Sequence, residues 1–201
     1  MINKTTKKIA LAVALASLIA LLSPSTATAH PIKGVGDFYA GMLHPLTALE
    51  FLLPWIALSL FAGQQGRRAA LLTLALFPLA LMSGAGLSMI LPSPTWLSAV
   101  DLAIIPILGL AVASAITCSS TVVVILVSAV GLLHGMANGS EIAAPMSPWR
   151  FIPGLAAVAI LVLAYGIGLV RSLKKPWTQI AVRVAGSWIA AVGIMVCAFK
   201  F

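Results

Sequence analysis

Charged residues are scarce in this sequence, and acidic residues are the scarcest. Of 201 residues only 8% are charged, with four Asp and Glu against twelve Lys and Arg, whereas soluble domains have roughly 25% charged residues. Apolar residues make up 61% of the chain, and its mean hydropathy is +1.12. These values exclude an ordinary soluble domain. They predict an all-α integral membrane protein, because apolar runs of about 20 residues cross a bilayer as helices.

Cysteine is also scarce, and no nucleic-acid-binding face is present. Cys118 and Cys197 lie in separate apolar segments and form no CxxC pair, so no disulfide framework is indicated. The formal net charge of +8 would suggest a nucleic-acid partner in a soluble protein. Here the basic residues lie at the ends of apolar runs, where they act as topology signals. We therefore expect a lipid bilayer, and no nucleic acid, as a partner.

Residues 1–29 have the three regions of a secretory signal peptide. Lysines precede an apolar run over 9–22, and a small polar segment ends in an Ala-x-Ala site at 27–29. We predict cleavage after Ala29, which leaves a single transmembrane domain of residues 30–201. An uncleaved signal anchor is the alternative, and N-terminal sequencing of the mature protein distinguishes the two.

Six further apolar runs predict a six-helix transmembrane bundle. They cover residues 43–62, 69–90, 97–116, 120–139, 151–170 and 179–199. Pro54, Pro78 and Pro106 lie within the first three runs and can kink their helices. Such kinks can free carbonyls for an ion site, or they can serve packing alone, and the sequence leaves both open.

The basic residues orient the bundle. With a cleaved signal peptide, six of them fall on the cytoplasmic side: Arg67, Arg68, Arg171, Lys174, Lys175 and Arg183. Lys33, Arg150 and Lys200 fall outside, which agrees with the positive-inside rule. We predict a multi-pass protein of a bacterial inner (plasma) membrane with the mature N-terminus outside. Its oligomeric state, including a homo-oligomer, is left open.

The acids and histidines concentrate at the outer end of this predicted bundle. They are His30, Asp37, His44, Glu50, Asp101, His134 and Glu141. A carboxylate in a membrane is costly unless it is paired, and an acidic, imidazole-bearing vestibule would attract and hold a cation. Imidazole and carboxylate ligands suit nickel, cobalt or zinc. Methionines near the same end leave copper as an alternative, although methionine commonly fills gaps in apolar helices.

We predict His44, Glu50, His134 and Glu141 as the metal ligands. His44 and Glu50 are about 9 Å apart along a helix and about 120° apart around its axis. They therefore need not meet unless the helix bends at Pro45 or Pro54.

Three other polar residues have secondary roles in this prediction. Asp37 and His30 would attract cations at the outer face. A lone acid at a membrane interface is usually solvated, and this is what we expect of Asp101.

Two motifs resemble the signatures of the HupE/UreJ family of hydrogenase- and urease-accessory membrane proteins. They are "DFYAGMLHPLTALE" and "HGMANGSE", against family patterns of roughly G-F-x-x-G-x-x-H-P-x-x-G-x-D-H and H-G-x-A-H-G-x-E. The signal peptide, six spans and short loops also fit, so the resemblance covers the whole chain. It implies a permease that moves nickel or cobalt into the cytoplasm. The metal would be the transported cargo, and no tightly bound cofactor is expected.

The chain departs from the family patterns at candidate ligand positions. Ala48 replaces a glycine and Glu50 an aspartate, while Phe51 and Asn138 each stand where the family has a histidine. Phenylalanine cannot bind a metal, and Asn138 offers only a weak oxygen ligand. Fewer nitrogen ligands should move the preference toward oxygen or mixed ligation, which puts the identity of the metal in doubt and leaves zinc and copper as alternatives.

Two other functions compete with transport. A non-transporting metal-binding or accessory protein for metalloenzyme maturation is favoured by the lost histidines. An intramembrane enzyme is the third hypothesis, because His134-x-x-x-Asn138 and Ser83-Gly84 faintly resemble rhomboid proteases. The G-x-S-G motif is missing, so we predict that the protein is not an enzyme.

Overall fold

A computed structural model describes residues 36–142 and 144–200. Over these ranges the chain forms seven helices and no strand: α1 (Asp37–Thr47), α2 (Leu49–Gln64), α3 (Arg67–Leu87), α4 (Leu97–Ser114), α5 (Ser120–Ser140), α6 (Pro148–Ser172) and α7 (Pro176–Lys200). The predicted all-α class is confirmed. The predicted signal peptide and His30 lie outside the described residues.

Five helices, α3 to α7, are long and apolar enough to cross a membrane. The α1–α2 pair makes a sixth span if its two parts are counted together. Five of the predicted runs match α3 to α7 to within a few residues at each end. The chain is therefore a multi-pass membrane protein with five or six candidate spans, against the six predicted.

The first predicted span, 43–62, is wrong as a single helix. The chain bends by 79° between α1 and α2, at Ala48, whose backbone is extended (φ −109°, ψ 105°). Thr47 Oγ1 donates to the carbonyls of Leu43 and His44 at 3.2 and 3.0 Å, so a side chain satisfies carbonyl groups at the end of α1. The bend lies at neither Pro45 nor Pro54, and it places His44 and Glu50 on different helices.

Helix α2 is the centre of the bundle. It contacts each of the other six described helices, and Trp55, Leu58 and Phe61 along it are almost fully buried. The most extensive pairings around it are α3 with α5 and α4 with α7, while α6 packs against α1 and α2. The first residues of α2, Glu50 and Phe51, therefore lie where several helix ends converge.

Helices α3 and α5 touch backbone to backbone. A Cβ atom added at Gly135 would overlap the carbonyl oxygen of Leu81, and one added at Gly84 would overlap that of Leu132. Small residues allow this close approach between membrane helices. The contact fixes the part of α5 that carries His134.

Gly135→Ala should therefore destabilise the protein by about 1–3 kcal/mol, because overpacking must push the two backbones apart. Gly86→Ala is the matched control, since a Cβ there meets no atom within 4 Å and alanine is the better helix former. Thermal unfolding of the purified protein in detergent should show a lower midpoint for Gly135→Ala only. Equal midpoints for the two variants would contradict the close contact.

Candidate metal-binding site

An open cavity of about 380 Å³ lies at one end of the bundle. Its lining comes from the first turns of α2 and α4, the last turns of α5 and α7, and the loop before α4. Three of the four acids in the chain line it, namely Glu50, Asp101 and Glu141, together with Lys200. The predicted concentration of acids thus corresponds to one cavity.

Two histidines lie beside carboxylates of this cavity. His44 Nε2 is 3.4 Å from Glu141 Oε2, and His134 Nε2 is 3.4 Å from Asp101 Oδ1. Both distances are longer than a good N–H···O hydrogen bond of about 2.7–3.2 Å. Glu141 is 44% exposed, whereas the side chains of His44, Asp101 and His134 are 7%, 9% and 0% exposed. Each pair therefore joins a cavity carboxylate to a buried imidazole.

Buried polar atoms without hydrogen-bond partners cluster around these pairs. Five of the seven such side-chain atoms in the described part of the chain are His44 Nε2, Asp101 Oδ1, His134 Nδ1, His134 Nε2 and Asn138 Oδ1. Buried polar groups are normally satisfied, and each unmade bond costs about 1–3 kcal/mol. Imidazole nitrogens with carboxylate and amide oxygens form a donor set that suits a divalent transition metal.

Asn138 lies one helical turn after His134 and is fully buried. Its Nδ2 donates to the carbonyl of His134 at 2.7 Å. This bond orients the amide and leaves its oxygen without a partner. Asn138 thus lies on the same face of α5 as His134, one turn later.

Glu50 pairs with a lysine that the sequence did not connect to it. Lys200 Nζ lies 2.8 Å from Glu50 Oε2, and both line the cavity. An exposed ion pair of this kind is weak. A metal ion that binds Glu50 would have to compete with a built-in ammonium group.

Phe51 packs against both histidines. Its ring centroid lies 5.4 Å from that of His44 and 6.3 Å from that of His134, and the residue is only 3% exposed. The position where the family pattern has a histidine is therefore central to the cluster, but here it contributes no ligand atom.

Asp37 and Asp101 differ from each other in their surroundings. Asp37 Oδ2 accepts a hydrogen bond from the backbone N–H of Ser147, at the start of α6, and it is not among the residues that line the cavity. The expectation that Asp101 is solvated is wrong, because α5 covers it with His134. The signal was present in the sequence, since Asp101 lies inside an apolar run and such carboxylates usually have a partner.

Glu141 lies just beyond the end of α5. Burial, followed by the negative charge of Glu50, raises the pKa of Glu141, while the positive charge of Lys200 lowers it in part. A proton therefore competes with a metal ion for this carboxylate at higher pH than usual.

The two pairs remain separate. Within residues 36–142 and 144–200, no group of three or more His, Cys, Asp and Glu side chains is arranged to hold one metal ion. What the structure brings together is two pairs, each with one imidazole and one carboxylate, on a shared cavity.

Ser83 belongs to neither pair. Its hydroxyl donates to the carbonyl of Leu79 on the same helix, and the residue is exposed. Its neighbour Gly84 packs against α5. Gly84 is therefore a helix-packing residue, as small residues between membrane helices usually are.

Comparison with known proteins extends the resemblance beyond the two motifs. A sequence model described as "HupE / UreJ protein" matches residues 18–196. Protein HupE of Rhizobium leguminosarum bv. viciae is 29% identical over 179 residues, which cover 88% of this chain and 93% of that protein. No solved structure matches the chain.

Proposed function

Because the chain belongs to the HupE/UreJ family, we propose that it is a permease that captures a divalent transition metal at the outer face and moves it into the cytoplasm. The family is associated with nickel or cobalt uptake, or with accessory roles for hydrogenase and urease. The observation that best supports the proposal is the cavity, whose three carboxylates are backed by two buried imidazoles. Nickel or cobalt is the proposed cargo.

The proposed ligands are His44, Glu50, His134 and Glu141, with Asn138 as a weaker oxygen donor. Glu50 and Glu141 would meet the ion first, because both are partly exposed at the cavity. Asp37 and His30 would raise the local cation concentration outside. Charged groups near the outer surface would act in this way through their long-range field.

The opposite end of the bundle supports the proposed orientation. A second cavity, of about 550 Å³, is lined by Arg171, Lys174 and Arg183 at the junction of α6 and α7. Basic residues mark the cytoplasmic ends of membrane helices. The acidic cavity then faces the outside, where a cation would be collected.

The direct test is uptake of nickel and cobalt by cells or proteoliposomes that contain the protein. Competition among nickel, cobalt, zinc and copper would identify the cargo. Uptake that no divalent transition metal stimulates above protein-free vesicles would contradict the proposal.

A non-transporting metal-binding or accessory protein is the second candidate. It is favoured by Phe51 and Asn138, which replace two family histidines, and by the absence of a three-ligand group in the described ranges. Equilibrium metal binding without flux in sealed proteoliposomes would favour this alternative over a permease.

Lys200→Met should strengthen metal binding, and the effect should be largest at high pH. Above the raised pKa of Glu141, binding should strengthen about twofold to fivefold, as expected for the loss of an exposed ion pair that competes for Glu50. At lower pH the gain should shrink, because Lys200 lowers the pKa of Glu141 and its removal lets a proton hold this carboxylate to higher pH. Dissociation constants measured between about pH 5 and 8 should therefore differ from those of the wild type most at the upper end of this range.

Lys174→Met is the control for this experiment, since it removes the same charge at the other end of the bundle. Its isotherms should follow the wild type. A ratio of Lys200→Met to wild-type dissociation constants that does not change with pH would show that Lys200 does not act on Glu141.

A further inference from the structure

We propose that Asp101 and His134 form a second, inner metal station, distinct from an outer station made by His44, Glu50 and Glu141. This inference rests on the proposed function and adds a ligand, Asp101, that lies outside both family motifs. It also divides the predicted ligands between two successive binding positions along the path of the ion.

The first argument is depth. His134 precedes Glu141 by seven residues on α5, which places it about 10 Å further from the end of the helix. Exposure falls in the same order within each residue type, from 44% for Glu141 to 9% for Asp101 and from 7% for His44 to 0% for His134. Asp101 lines the cavity, so an ion in the cavity can reach the inner pair through this carboxylate.

The second argument is the separation of the two ligand atoms. Two ligands at about 2.1 Å from a tetrahedral ion, about 109° apart, lie about 3.4 Å from each other. The distance from His134 Nε2 to Asp101 Oδ1 is 3.4 Å. The pair is thus spaced to hold two adjacent positions of a small transition-metal ion with little rearrangement.

The third argument is Phe51. Its ring packs against both imidazoles and carries no ligand atom, so one ion cannot easily bind both histidines while the ring keeps this position. Two stations with one imidazole each then follow, rather than a single site with both histidines. Asn138, whose buried oxygen has no partner, is available to the inner station.

The test is equilibrium binding of Co²⁺ or Ni²⁺ to the purified full chain, together with uptake in proteoliposomes. We expect two ions per wild-type chain at saturation, one in Asp101→Asn and one in Glu141→Gln, with uptake reduced about tenfold or more in Asp101→Asn. Asp101→Glu, which keeps a carboxylate, should recover part of the second binding site and part of the uptake. Ser98→Ala, on the same helix and the same cavity, should behave as the wild type.

The outcomes separate this inference from the proposed function. An Asp101→Asn protein with wild-type stoichiometry and uptake would overturn the inner station and leave the permease intact. A wild type that binds two ions without moving them would overturn the permease, yet the station would stand if Asp101→Asn lost one ion. A wild type that binds neither ion would overturn both. Because asparagine matches aspartate in shape, an unchanged unfolding midpoint shows that any loss comes from the missing charge.

Discussion

Uptake of nickel and cobalt should fall about 100-fold or more in a His44→Ala, His134→Ala double variant. Loss of a group that merely orients a metal ligand typically costs about 10–100-fold in affinity or activity, and loss of a ligand should cost no less. The two imidazoles belong to different pairs, so the double variant disables both. The measurement is the initial rate of radioactive metal uptake, normalised to the amount of protein in the membrane.

The controls must separate loss of ligands from loss of fold. His134 is fully buried, so truncation to alanine leaves a cavity and destabilises the bundle. His44→Gln with His134→Gln retains much of the volume and should lose uptake as well. Thr95→Ala, which lies on the same cavity, should retain it. An unchanged rate in the double variant would remove the histidines from the transport path.

The sequence predicts the helical segments well because each is set by local composition. Runs of about 20 apolar residues have few alternatives to a spanning helix, and five of the runs match α3 to α7. The order of the spans also predicts that the acids and histidines lie at one end of the bundle. These features need no knowledge of which helices touch.

The partners within the site could not be predicted, because they depend on helix packing. Glu50 and Lys200 are 150 residues apart in the chain, and nothing in either local sequence selects the other. The apolar run around Asp101 indicates that this carboxylate needs a partner, but it does not indicate that the partner is His134 on α5. The break at Ala48, where the backbone is extended, leaves no signature in apolar periodicity.

Phe51 shows how a resemblance and a structure complement each other. The family pattern indicates a missing histidine, but only the structure shows that the residue in its place contacts both remaining imidazoles. The replacement of the family histidine by Phe51 therefore changes the centre of the cluster of histidines and acids and not its periphery.

Phe51→His should accordingly tighten metal binding at least tenfold, which corresponds to about 1.4 kcal/mol. The new imidazole would replace a ring that already touches both histidines, so it could join either station or bridge the two. Nitrogen ligands favour late transition metals, and the gain should be larger for nickel than for magnesium. Binding isotherms of the purified protein measure this directly.

Phe51→Leu is the matched control, because it removes the aromatic ring without adding a ligand. The comparison also has a readout in stability. Without metal, the Phe51→His variant should be about 1–3 kcal/mol less stable than the wild type, since it buries an imidazole that lacks a partner. With metal, its free energy of unfolding should increase by RT ln(1 + [metal]/Kd). Its unfolding midpoint should therefore rise more steeply with nickel concentration than that of Phe51→Leu. Equal nickel dependence in the two variants would mean that position 51 does not face the metal path, whatever the family pattern places there.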